Sequence, residues 1–161
     1  MEEDIRVIAK DNKEMSISYK AGVLSAKLKR EYDVNKRIPV DVSNIDDKTL
    51  ERIFEYLDHF KGSVPKDIEK PLQSAELKTV TDEWSANFVD KMILDDLINV
   101  TVGAYVMEIT QLYNLCCAKL AAMCKDKSEE DIFKVFNITE TFTEEEKNEL
   151  REKNPWITEN I

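Results

Sequence analysis

Few side chains in this sequence could do covalent or acid–base chemistry. His59 is the one histidine, set between Leu57 and Phe60 near the end of an apolar-faced stretch. No spacing pairs it with a serine or cysteine nucleophile, so it reads as a structural or exposed residue rather than a general base. Cys116, Cys117 and Cys124 share one apolar stripe. Adjacent helical residues point about 100° apart, so two neighbouring thiols cannot chelate a metal tetrahedrally without ligands from elsewhere. An odd, clustered set is not a disulfide framework either. Free cysteine packs as a small hydrophobe, which is the simplest reading, with a metal or redox role as the alternative. Glu144, Glu145 and Glu146 fall in the first turn of a helix, where they complement its dipole and stay solvated. With only Gly22, Gly62 and Gly103, the chain offers no phosphate-cradling loop. The expectation is a protein that is not an enzyme and uses no cofactor and no metal.

The elements around these residues begin with strands. Ile5 and Val7, then Met15, Ile17 and Tyr19, alternate with polar residues about an Asp11, Asn12, Lys13 turn, which predicts a hairpin. Residues 21–28 suggest a short helix, and Ile38, Val40 and Val42 a third strand with Pro39 at its start. Asp46 is placed to cap a helix on whose face Leu50, Ile53, Phe54 and Leu57 recur at helical spacing. Residues 61–82, interrupted by Pro65 and Pro71, read as a loop, and a disordered one, since no aromatic residue anchors it before Trp84. Three helical segments follow. The last, from Ile109 to Cys124, holds a 3.6-residue apolar period for four turns.

Two further helices have clear starts. Ser128 precedes Asp131 by three, and Thr143 precedes Glu146 by three, the spacing of a capping box. A three-strand, several-helix domain ending near residue 124 would already be complete. Yet residues 128–156 carry Ile132, Phe133, Val135, Phe136, Ile138, Phe142 and Trp156. Short amphipathic helices must bury such groups against their own body or against another chain, and both readings stand at this point. Two phenylalanines in one short helix favour a partner's groove.

The net charge of −10 is uneven: residues 126–161 hold 11 acidic and 5 basic side chains, a net −6. That surface repels phosphate backbones, so nucleic acid is not an expected partner. No stretch approaches the roughly 20 apolar residues of a membrane span. The acidic start, MEEDIRVIAK, does not resemble a secretory signal. The expected location is cytoplasm and nucleus.

The run from Lys125 to Ile132, then Phe136, Asn137 and Ile138, Phe142 to Glu146, Arg151, and Asn154, Pro155 and Trp156, resembles the C-terminal signature of the S-phase kinase-associated protein 1 family. These are adaptors of Skp–cullin–F-box ubiquitin ligases. The order of the earlier elements agrees, so the likeness spans nearly the whole chain. It implies an α+β fold: a BTB/POZ-like domain over 1–124, with a small sheet of about three strands packed with helices, and a C-terminal helical extension over 125–161 that binds F-box motifs. Elongin C shares the BTB/POZ part but stops before those helices.

The resemblance also implies roles. Cys117, Leu120, Ile132, Val135, Phe136, Ile138, Asn154 and Trp156 match an F-box-facing surface, and Tyr105 matches a tyrosine on the cullin-facing side. Here Ala104 precedes that tyrosine where the family has asparagine, and the segment from Val106 to Ile109 is one residue longer. A core position for Tyr105 is the alternative. Glu129 stands where some protist members carry a modified proline, so that modification has no acceptor here. The implied function is a non-catalytic adaptor with F-box proteins and a cullin scaffold as partners and a weak homodimer when free. The alternative is a structural or self-associating BTB/POZ scaffold, elongin-C-like or of kinetochore type, without a ligase role.

Overall fold

A computed structural model of the chain describes residues 4–139 and 142–156. It falls into two compact units, Met1–Lys125 and Asp126–Ile161. The first is α+β, as expected. Strands β1 (Ile5–Ile8) and β2 (Glu14–Ile17) pair antiparallel, Ile5 opposite Ile17 and Val7 opposite Met15. Alternation along β1 sends Ile5 and Val7 fully into the core and leaves Arg6 outside. The turn between them needs left-handed backbone at Asp11 (φ 60°) and Asn12 (φ 58°), two residue types whose short polar side chains tolerate it.

Strand β3 (Val40–Asp41) lies on the other side of β1 and runs parallel to it, giving the order β2-β1-β3. A parallel partner requires a crossover connection. Helices α1 (Tyr19–Gly22) and α2 (Ala26–Val34) supply it. The single helix expected over 21–28 is therefore two. Ser25 ends the first path and starts the second: its hydroxyl oxygen accepts the Leu28 N–H at 3.1 Å while its hydroxyl donates to the Met107 carbonyl. β3 is also shorter than the alternation from Ile38 to Val42 suggests, and Ile38 is exposed.

Helix α3 (Asp47–Phe60) starts as its sequence dictates. The Asp46 carboxylate accepts the Thr49 N–H at 2.9 Å and the Thr49 hydroxyl at 2.8 Å. Leu50, Ile53, Phe54 and Leu57 are buried on one face, joined by Tyr56. The segment 61–82, expected to be a disordered loop, is corrected by its aliphatic anchors. Leu77 is buried within a short 3-10 turn (Leu77–Thr79), and Ile68, Leu72 and Val80 pack against the core. Aliphatic side chains do here what an aromatic anchor was expected to do.

Three helices complete the first unit: α4 (Glu83–Asp90), α5 (Leu94–Val106) and α6 (Thr110–Cys124). Asp82 caps α4 through the Ser85 N–H (2.9 Å) and hydroxyl (2.6 Å). Gly103 lets α5 approach α3 closely, since a β-carbon there would meet Ile53 Cδ1 at 2.6 Å. The second unit holds α7 (Glu129–Val135) and α8 (Glu144–Lys153), each begun by the predicted cap. Ser128 Oγ accepts the Asp131 N–H at 3.2 Å.

Candidate partner-binding surfaces

The histidine and the three cysteines sit in different settings. The His59 ring stacks on Trp84 at 3.6 Å between centroids and 2° between planes, within a cluster that includes Tyr56, Phe60 and Phe88. Cys116 is fully buried, and that burial pushes its thiol up to about 12, partly offset by a hydrogen bond with Thr101. Cys117 and Cys124 are half-buried and also free thiols. Among the described residues no group of three or more His, Cys, Asp and Glu side chains is arranged to hold a metal ion. No helix described is long and apolar enough to cross a membrane.

The first unit does carry an unburied apolar stripe. Ile98, Val102 and Tyr105 recur at i, i+4 and i+7 on α5, and all three are exposed. Tyr105 is 69% exposed, so it is no core aromatic. Its ring lies 5.8 Å from that of Tyr113 on α6. Ala104, the residue before Tyr105, is fully buried. Sequence reasoning picked Tyr105 alone. Its neighbours Ile98 and Val102 looked like core because α5 is apolar nearly all round, a pattern that does not say which side is covered. On α6, Cys117 and Leu120 are spaced i, i+3 and half-buried, with Leu120 packed against the core.

In the second unit the apolar groups are poorly covered. Neither α7 nor α8 contains a buried residue. Ile132, Val135 and Phe136 lie on one side of α7 and are half-buried, as is Phe133. The chain leaves α7 through a left-handed Asn137 (φ 52°), with the Ile138 N–H donating to the Phe133 carbonyl at 2.8 Å. This sharp exit puts Ile138 at the surface, 45% exposed. Asn154 closes α8, donating from its side chain to the Leu150 carbonyl at 3.0 Å. Trp156, two residues on, is 78% exposed. Phe142, exposed as well, and Leu150 line a cleft of about 190 Å³ rimmed by Glu146, Glu149 and Lys153. Phe142 and that cleft were not among the predicted site residues, although an aromatic next to a capping box is a usable signal.

Comparison with known proteins bears on what covers these groups. Residues 110–157 match the model of the Skp1 family, dimerisation domain. An S-phase kinase-associated protein 1 homolog of Tetrahymena thermophila is 35% identical over 127 residues, covering 79% of this chain and 76% of the relative. The chain belongs to the Skp1 family. Two other members are an E3 ubiquitin ligase complex SCF subunit sconC of Arthroderma benhamiae and the suppressor of kinetochore protein 1 of Schizosaccharomyces pombe. The first is 33% identical, covering 75% of this chain and 73% of its own. The second is 30% identical, covering 94% of this chain and 96% of its own. The family match begins at the start of α6 and runs through both tail helices, so the poorly covered helices lie inside it.

Proposed function

We propose that this Skp1-family chain is the non-catalytic adaptor of an SCF-type ubiquitin ligase, acting in cytoplasm and nucleus. Its residues 1–124 form the cullin-facing domain and residues 125–161 the F-box-facing extension. The observation that carries this is the absence of any buried residue in α7 or α8. Burying apolar area is worth about 25 cal/mol per Å², so half-covered Ile132, Val135 and Phe136 and exposed Ile138 and Trp156 retain much to gain from a helical partner. An F-box, a small helical motif, is the occupant this reading assigns. Cys117 and Leu120 on α6, and Asn154 at the end of α8, are each assigned to F-box contact in this reading.

The cullin side is assigned to Tyr105 on α5, with α3 beside it. The mechanism is positional. One chain holding a substrate receptor and a scaffold together converts ubiquitin transfer from a bimolecular encounter into an effectively intramolecular one, with no chemistry of its own.

The test is to mix the purified chain with an F-box peptide and measure stoichiometry by light scattering. A 1:1 complex is expected, and a chain that stays alone sinks the reading. Pull-downs from extract should show that a version ending at Lys125 loses F-box proteins and keeps cullin. The relative named as a suppressor of kinetochore protein, aligned over nearly all of both chains, supports a second reading as a structural scaffold. That reading predicts self-association without demand for an F-box.

A further inference from the structure

The corner where α5 turns into α6 is built around a residue of the wrong type for its backbone. The Ile109 N–H donates to the Ala104 carbonyl at 2.8 Å and the Glu108 N–H donates to the Tyr105 carbonyl at 3.0 Å. That pair of bonds is a Schellman ending, whose residue after the helix adopts a left-handed conformation and is usually glycine. Here it is Glu108, at φ 55°. A residue with a β-carbon is strained there relative to glycine, so something must hold it.

What holds it is α2. Arg30 donates to both oxygens of the Glu108 carboxylate, Nη1 to Oε2 at 2.7 Å and Nη2 to Oε1 at 2.8 Å. The Ala26 N–H donates to the Glu108 carbonyl at 3.3 Å, and the buried Ser25 hydroxyl donates to the Met107 carbonyl. The side chain that glycine would lack is thus the one the helix 78 residues earlier grips. Bidentate geometry fixes direction as well as distance. The Glu108 carboxyl lies below its ordinary range because of Arg30, in keeping with that contact.

We propose that Arg30 and Glu108 form a positioning clamp that fixes the α5–α6 corner and so the presentation of Tyr105 and Tyr113 to the partner. Tyr105 is bound directly into this corner, since its carbonyl accepts the Glu108 N–H, and Tyr113 starts from it, donating its N–H to the Ile109 carbonyl at 3.0 Å. The clamp rests on the cullin reading of Tyr105 for its function, but not for its physical effect.

Glu108→Gly separates positioning from stability. Glycine relieves the left-handed strain, so the melting temperature should hold or rise, while the grip is lost. Expected are faster amide exchange at Met107, Glu108 and Ile109, a weaker Tyr105–Tyr113 ring cross-peak in NMR, and about a three- to five-fold loss of affinity for an N-terminal cullin fragment. F-box peptide affinity should not change. Arg30→Gln, on an exposed helix face, should reproduce the loss, and the charge-reversed pair Arg30→Glu with Glu108→Arg should restore part of it. Added salt to about 0.5 M should shrink the difference between wild type and variants. Unchanged exchange and an unchanged ring cross-peak in both single variants overturn the clamp, as does wild-type cullin affinity in both. If the wild-type chain does not bind the cullin fragment, the Tyr105 reading falls instead, and the exchange and ring signals alone decide the clamp.

Discussion

Thr143 and Glu146 cap each other at the start of α8: the Thr143 hydroxyl oxygen accepts the Glu146 N–H at 3.2 Å, and Glu146 Oε2 accepts the Thr143 N–H at 2.8 Å. In a unit whose helices contain no fully buried residue, such local bonds carry an unusual share of the order. Thr143→Ala should therefore cost about 1 kcal/mol of local helix stability. Amide exchange over Glu146 to Leu150 measures it. Because α8 then starts less well formed, F-box affinity should fall by up to the same amount. Unchanged exchange would mean that α8 is held by something other than its cap.

Trp156 gives a cleaner separation of folding from binding. At 78% exposed it contributes little to the free chain, so Trp156→Ala should move unfolding stability by no more than about 0.5 kcal/mol. If the indole is an anchor in the F-box complex, the same change should weaken that complex by about 2 kcal/mol or more. Calorimetric titration with an F-box peptide reads this directly, and equal affinities would remove Trp156 from the surface.

Tyr105 is the corresponding residue on the other unit. Its ring is 69% exposed and touches Tyr113, so Tyr105→Ala should spare the fold. A drop of about ten-fold or more in cullin-fragment affinity is expected if the ring sits near the centre of that interface. F-box binding should be unaffected, and loss of both together would point to a misfolded variant.

Acid should loosen the first unit through its helix caps. The Asp46 carboxyl is held below its ordinary range, chiefly by the Thr49 N–H, with burial opposing. Asp82 is also low: burial works against ionisation, but the Ser85 hydroxyl and N–H outweigh it. A folded value below the unfolded one means the unfolded state takes up protons first as pH falls. The stabilisation is then complete above the ordinary aspartate value of about 3.9 and is lost as pH drops through the lower folded value. Asp46→Asn keeps an acceptor for the cap without titrating, so it should flatten part of the pH dependence of urea unfolding between about pH 5 and 2. A parallel pH profile in the variant would show that Asp46 does not contribute.

The parts of this architecture that could be read from the sequence are the ones set by neighbours in the chain. The caps at Asp46, Ser128 and Thr143 and the turn at Asp11 and Asn12 involve residues within three or four positions. The helix break before Ala26 was not legible, because the Ser25 hydroxyl is committed to Met107, 82 residues away. The order of segment 61–82 is not legible because isolated aliphatic residues such as Leu77 and Ile68 carry no periodic pattern to announce that they pack on the core. For the site, the apolar tail residues announced themselves by having no place in a finished domain. The α5 stripe did not, because Ile98 and Val102 differ from buried Leu97 and Val100 only in what packs over them.

The cysteines allow α6 to be probed in the unaltered chain. Cys116 is sealed in the core, with its thiol raised to about 12, while its neighbour Cys117 is half-buried on α6. Thiolate fraction and access together set alkylation rates. Iodoacetamide at mildly alkaline pH should therefore modify the more accessible Cys117 and Cys124 and spare Cys116 until the chain unfolds. Saturating F-box peptide should then protect Cys117, if α6 completes the docking surface, and slow Cys124 much less. Mass spectrometry of the digested protein resolves the three sites, because Lys119 separates Cys117 from Cys124 and the adjacent Cys116 and Cys117 can be told apart by fragmentation. Protection of Cys117 would assign F-box contact to α6 as well as to the tail helices. Equal labelling with and without peptide would confine that contact to α7, α8 and their connection.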